Sequence, residues 1–90
     1  AGVVVDGAGI GSAMAANKIP RIRAANCLNV AMARNAREHN HANVLTLGSQ
    51  FLETREALAV VDCFLATPFG EGRHARRVQL LEELRKGTVT

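Results

Sequence analysis

Asp6 closes a run of three valines and opens onto Gly7, Gly9 and Gly11, so a carboxylate stands beside a turn whose backbone N–H groups can face an anion. The β-branched run Val3, Val4, Val5 suits a strand covered on both faces. The glycines permit backbone angles closed to other residues, and the alanine-rich stretch after them favours helix. Two readings of the turn stay open: an anion site, or a tight strand-to-helix connection that binds nothing. The spacing Gly7-x-Gly9-x-Gly11 is not the dinucleotide fingerprint, whose third glycine falls one position later. Lys18 is too far from the glycines, and lacks the Gly-Lys-Ser/Thr context, for a Walker loop.

Two other clusters carry groups that can act with that turn. In Arg37-Glu38-His39-Asn40-His41-Ala42-Asn43, an imidazole can serve as general acid or base near neutral pH, and an amide can both donate to and accept from a sugar hydroxyl. His39 and Asn40 are therefore candidates, against the plainer reading of an exposed histidine and a turn asparagine at a helix end. His39 and His41 lack a third ligand at a suitable spacing, so no metal is expected. In Gly70-Glu71-Gly72-Arg73-His74-Ala75-Arg76-Arg77, a helix beginning near Arg73 puts Arg73 and Arg77 on one face, where two guanidinium groups can close on one phosphate. The alternative is a solvated basic face.

Composition bounds what these groups can serve. Ninety residues make one small domain, and 48% hydrophobic content with 3% aromatics calls for an aliphatic core. Cys27 and Cys63 form neither a disulfide framework nor a CxxC pair, which suits a reducing cytoplasm and buried, unpaired thiols. With no apolar run long enough to span a bilayer and no cleavable signal, a cytoplasmic protein without a membrane partner is expected. The net charge of +3 is concentrated at Arg73, Arg76, Arg77, Arg85 and Lys86 without interleaved aromatics, a pattern that fits a small phosphorylated ligand and not nucleic acid.

The elements that must hold these residues alternate strand with helix, the pattern of an α/β fold. After the first strand and helix, a second strand is expected around Ile22 to Cys27 and a helix from Val30 to Glu38 capped by Asn29. A third strand follows over Asn43 to Leu47, ending at Gly48-Ser49. Residues 54–66 read as a helix capped by Thr54, with Ala57, Leu58, Val61, Phe64 and Leu65 facing the core until Pro68 and Gly70 break it. A last helix to Lys86 carries the stripe Val78, Leu81 and Leu84. Three parallel strands make a thin sheet whose first strand begins at residue 2. The expectation is the carboxyl-terminal part of a doubly wound (Rossmann-like) domain, with an amino-terminal strand–helix portion missing and a second chain covering what is exposed.

Taken together, the blocks Asp6-Gly-Ala-Gly-Ile-Gly-Ser12, Ala15-Ala-Asn-Lys18, Ile22-Arg-Ala-Ala25, Arg37-Glu-His-Asn40, Asn43-Val-Leu45 and Gly72-Arg-His-x-x-Arg-Val78 resemble the type B ribose-5-phosphate isomerases and the related galactose-6-phosphate isomerase subunits, in that family's order along nearly the whole chain. The resemblance implies an aldose–ketose isomerase of phosphosugars, independent of metal and cofactor, working through an enediolate. It also implies a homodimer or higher oligomer whose active site is shared between subunits. By that likeness His39 assists ring opening, Asn40 binds the sugar, the Gly7, Gly9 and Gly11 turn holds the enediolate, and Arg73 and Arg77 bind phosphate. The family's ribose enzymes often carry a cysteine base where this chain has Asp6 and a Thr or Ser where it has Ala8, whereas the lactose-pathway subunits can have Asp at the first place. A carboxylate can take a proton α to a carbonyl, so Asp6 is the candidate base, against the plainer reading of a turn-forming Asp. Gln50 replaces an arginine that often helps bind phosphate, and the family's amino-terminal Asp-His segment is not among these residues. The alternatives are a non-catalytic phosphosugar- or nucleotide-binding module and a structural subunit of an assembly.

Overall fold

The computed structural model describes residues 1–70 together with Gln79 and Leu81. Three strands and three helices alternate along it: β1 (Gly2–Asp6), α1 (Ile10–Ala16), β2 (Ala24–Asn26), α2 (Val30–Glu38), β3 (Val44–Gly48) and α3 (Thr54–Ala66). The strands pair in parallel in the order β1-β3-β2, so the last strand in sequence is the middle one in space. The chain therefore moves outward from β1 to β2 and returns to β3, the reversal that defines a doubly wound sheet.

That reversal is expressed in the alternation of β3. Leu45 and Leu47 point to the face covered by α2 and α3, where they join Cys27, Ala33, Ala36, Ala42, Val60 and Phe64 in the core. Thr46, between them, points the other way, toward the turn that starts α1. Burial pushes the Cys27 thiol up to about 11, with Cys63 nearby adding to the effect, so Cys27 behaves as a small packed hydrophobe. Both cysteines are free thiols.

Helix boundaries follow local chemistry. Asn29 caps α2 by accepting from the Met32 N–H at 2.8 Å. The cap of α3 is Glu53 and not Thr54: its side chain and that of Glu56 reach each other's backbone N–H in a reciprocal box, which leaves Thr54 as the first helical residue. The core face of α3 is also rotated from the expected one. Val60 and Phe64 are buried, Ala57 and Val61 pack beside them, and Leu58 and Leu65 are exposed, because α3 packs chiefly on α2 and lies over only part of the sheet.

The two outer strands end their pairing differently. β2, shorter than expected, has its outer edge closed by Asn17, whose amide donates to Ala24 O at 3.0 Å and accepts from Ala24 N at 2.6 Å. β1 is not covered on both faces as its valines predict: it is the other edge strand, and Val3, Val4 and Val5 are 41%, 40% and 61% exposed. Of the stripe Val78, Leu81 and Leu84, Leu81 is among the described residues and is exposed, while Val78 and Leu84 are outside them. No helix among the described residues is long and apolar enough to cross a membrane.

The rotated face of α3 gives a direct test by denaturant unfolding. Phe64→Ala should cost about 3–5 kcal/mol of stability, and Leu58→Ala, on the exposed side, should stay within about 0.5 kcal/mol of the parent.

Candidate active site

Asp6 ends β1 beside Gly48, its pairing partner on β3, and the chain then turns through Gly7–Gly9 into α1. The turn lies on the carboxyl end of the sheet, held by Ser49 N to Asp6 O at 2.8 Å and Gln50 N to Gly7 O at 2.9 Å. Open α/β sheets carry their ligands at this end. Gly9 is the N-cap of α1 with φ of 80°, the left-handed region where glycine is strain-free. A Cβ there would overlap Asn26 Oδ1 and come within 3.0 Å of Gly48 N. At Gly48 a Cβ would collide with the Ala8 backbone, so both glycines are dictated by close approach.

The Asp6 carboxylate lies inside this turn. Gly9 N–H donates to Oδ1 and Ser12 N–H to Oδ2 at 3.3 Å, so the side chain takes up N–H groups at the start of α1 that the helix itself leaves unpaired. Beneath, Thr46 is fully buried and donates its hydroxyl to Gly9 O at 2.7 Å, while Asn26 Nδ2 reaches Ala8 O at 3.4 Å. Ser12 Oγ donates to Gly9 O at 3.2 Å. Gln50 sits over the outer side of the turn, close enough that a Cβ on Gly7 would touch its amide at 3.4 Å.

His39 and Asn40 lie elsewhere. His39 is the C-cap of α2, its N–H bonded to Asn35 O at 2.9 Å, and Asn40 Nδ2 donates to Asn35 Oδ1 at 3.2 Å. The chain then enters β3 through Asn43, whose carbonyl accepts from Gly2 N at the very start of β1. His39 and Asn40 are thus at the amino end of the strands and Asp6 at the carboxyl end, with β3, about 13 Å long, between them. Both residues are half-buried. Beside Asn40 a cavity of about 380 Å³ opens, bounded by Asn17, Ile22, Arg23, Ala36 and Leu81. Arg73 and Arg77 lie outside the described residues. Among the described residues, no three His, Cys, Asp or Glu side chains gather as metal ligands.

The structure therefore brings Asp6 together with Gly7, Gly9 and Gly11 and separates them from His39 and Asn40. It also adds Asn26 and Thr46 beneath the turn. Their signal in the sequence is a polar residue at the end or middle of an otherwise apolar strand, Ala-Ala-Asn and Val-Leu-Thr-Leu.

Residues 1–81 match the family model described as Ribose/Galactose Isomerase. The chain is 43% identical over 83 residues to ribose-5-phosphate isomerase B of Mycolicibacterium paratuberculosis, covering 91% of this chain and 52% of that one. Among solved structures, ribose-5-phosphate isomerase B of Clostridium thermocellum superposes with a TM-score of 0.92 at 47% identity, covering 97% of this chain and 59% of that one. The enzyme of that name from Mycoplasma genitalium, with bound ribulose-5-phosphate, superposes with a TM-score of 0.89 at 39% identity, covering 93% of this chain and 55% of its own. The chain spans about half the length of the curated relatives it matches.

The packing of the turn separates its glycines by experiment. Gly9→Ala and Gly48→Ala should each lower stability by more than about 2 kcal/mol in denaturant unfolding, through strain and backbone overlap. Gly11→Ala, inside α1 where a Cβ meets open space, should be neutral or stabilise by up to about 1 kcal/mol.

Proposed function

Because the chain belongs to the ribose/galactose isomerase family, we propose that it interconverts an aldose phosphate and a ketose phosphate of the ribose-5-phosphate and ribulose-5-phosphate type through an enediolate. The observation that carries the reading is the carboxylate at the carboxyl end of β1 beside a turn of closely packed glycines.

In this reaction a base removes the C2 proton of the open-chain aldose, the electron pair forms the C1–C2 double bond, and O1 takes the charge. Return of the proton to C1, with transfer of a proton from O2 to O1, gives the ketose. Asp6 is the proposed base. Each of its oxygens accepts one backbone N–H, and the bond to Ser12 is long, so Oδ2 keeps a lone pair that can take a proton. N–H groups of the Gly7 to Gly11 turn are the proposed donors to the enediolate. His39 is assigned to ring opening, giving a proton to the ring oxygen as the C1–O4 bond breaks and the O1 hydroxyl releases its proton to water to form the aldehyde, and Asn40 to the sugar hydroxyls. Arg73 and Arg77 are assigned to the phosphate.

The separation of these groups along β3 supports a site assembled from two copies, the Asp6 end of one facing the His39 end of the other. Exposed apolar side chains surround the Asp6 end: Ile10 on α1, Leu28 and Met32 beyond β2, and Phe51 beyond β3. They suit burial against a second chain. One observation favours a second reading: the Asp6 carboxylate already satisfies Gly9 and Ser12, as a turn-forming Asp would, which fits a phosphosugar-binding module without proton transfer.

The two readings part at Asp6→Asn. For a base, ligand binding persists while solvent proton exchange falls by roughly 10²–10⁴-fold; exchange at the parent rate would leave the binding module. Shared sites predict complementation. Asp6→Asn and His39→Asn proteins, each inactive, should regain about a quarter of parent activity when mixed in equal amounts and allowed to exchange subunits, since half the dimers then hold one intact site.

A further inference from the structure

Beyond α3 the chain doubles back on the end of α2 and is fastened there. Arg37 Nε donates to Thr67 O at 3.0 Å and Arg37 Nη1 to Ala42 O at 2.7 Å. Gly70 N donates to Glu38 O at 3.1 Å, and the His41 Nε2–H donates to Gly70 O at 2.5 Å. The Phe69 ring stacks on the His41 ring, with centroids 4.6 Å apart and planes 8° from parallel, and the Arg37 guanidinium carbon lies 4.5 Å from its centroid. Arg37 also lies over Phe64 of the core at 4.9 Å, which ties the whole assembly to α3.

These contacts bracket two residues. Arg37 and Glu38 precede His39 and Asn40, and His41 and Ala42 follow them; every fastening lands on the bracketing residues. His41 has φ of 50°, the left-handed region that a non-glycine residue seldom keeps without support, and its stacking and hydrogen bond supply that support. A helix end carrying a half-buried histidine and asparagine would otherwise fray, since its last carbonyls lack partners within the helix. Here Glu38 O, Thr67 O and Gly70 O are all taken up by the clamp.

We propose that Arg37, His41 and Phe69 are positioning residues that hold His39 and Asn40 in the orientation needed to open the sugar ring. The inference rests on the isomerase reading above. Proton delivery to a ring oxygen demands a fixed donor, and a displacement of about 1 Å can cost on the order of a hundredfold in rate. Their side chains are engaged with the backbone and with one another, so they act through the turn that bears His39.

Ring opening and proton transfer can be measured apart. Ribulose-5-phosphate has its C5 hydroxyl esterified and cannot close a furanose ring, so exchange of its C1 proton with solvent needs the base but not ring opening. Ribose-5-phosphate must be opened first. In Phe69→Leu, conversion of ribose-5-phosphate should fall by roughly a hundredfold while C1 exchange from ribulose-5-phosphate stays within about twofold of the parent. Phe69→Tyr, which keeps the stacked ring, should restore conversion. His41→Asn, which tolerates the left-handed backbone but loses the stack, should reproduce the Leu phenotype and carries the test if Phe69→Leu does not fold. Conversion and exchange falling together in a folded variant, or neither changing, would overturn the positioning role. A parent protein that performs neither reaction would overturn the isomerase reading itself, and the positioning role with it.

Discussion

Two stretches of main chain lie so close at the carboxyl end of the sheet that neither tolerates a β-carbon: Gly48 abuts Ala8, and Gly9 abuts Asn26 and Gly48. The rest of the site follows from that approach. It lets the turn rest on the strand ends, where Thr46 of β3 and Asn26 of β2 reach its carbonyls, and it directs Gly9 and Ser12 N–H groups at the Asp6 carboxylate. A buried hydroxyl under the turn means that its geometry is set from the core, by a strand whose other face is packed with Leu45 and Leu47. A preorganised set of donors is worth most where the backbone cannot relax.

The sheet order makes this arrangement possible and imposes a division. Because all three strands run parallel, each βα turn meets the carboxyl end and each αβ turn the amino end. The turn N–H groups and Asp6 belong to the first group, and the His39 imidazole and Asn40 amide to the second. A single copy therefore carries these two groups of residues at opposite ends of the sheet, and it is the proposed reaction, which needs both, that ties them to a second copy.

Much of this was legible in the residues. The helix over 30–38 with its Asn29 cap, the helix over 54–66, the strand–glycine–helix order at Asp6 and the α/β class all follow from local periodicity and capping chemistry. What local pattern could not supply was neighbourhood. Three consecutive valines read as a doubly covered strand, yet β1 is an edge, since which strand lies in the middle depends on crossover order and not on composition. Leu58 and Leu65 read as core because the apolar arc of α3 is wide, and the packing against α2 selects only the Val60 and Phe64 side of it. Capping by Glu53 in place of Thr54 turns on a reciprocal bond with Glu56, a pair that competes closely with a hydroxyl at the next position. The contacts of Arg37 and His41 with Phe69 join residues about thirty positions apart, which no spacing rule detects.

The unequal edges of the sheet have a further consequence for handling the protein. Asn17 mimics a neighbouring strand and occupies the β2 edge, whereas β1 presents three exposed valines in succession before Asp6, with no proline or bulge among them to deter pairing. Such an edge is a template for any extended chain, including a misaligned copy of itself. Val3 and Val5 share the face of Leu45 and Leu47 and line a cavity with Leu52, Ala57 and Val61, so a lysine at Val4, on the opposite face, is the gatekeeper that leaves that packing untouched.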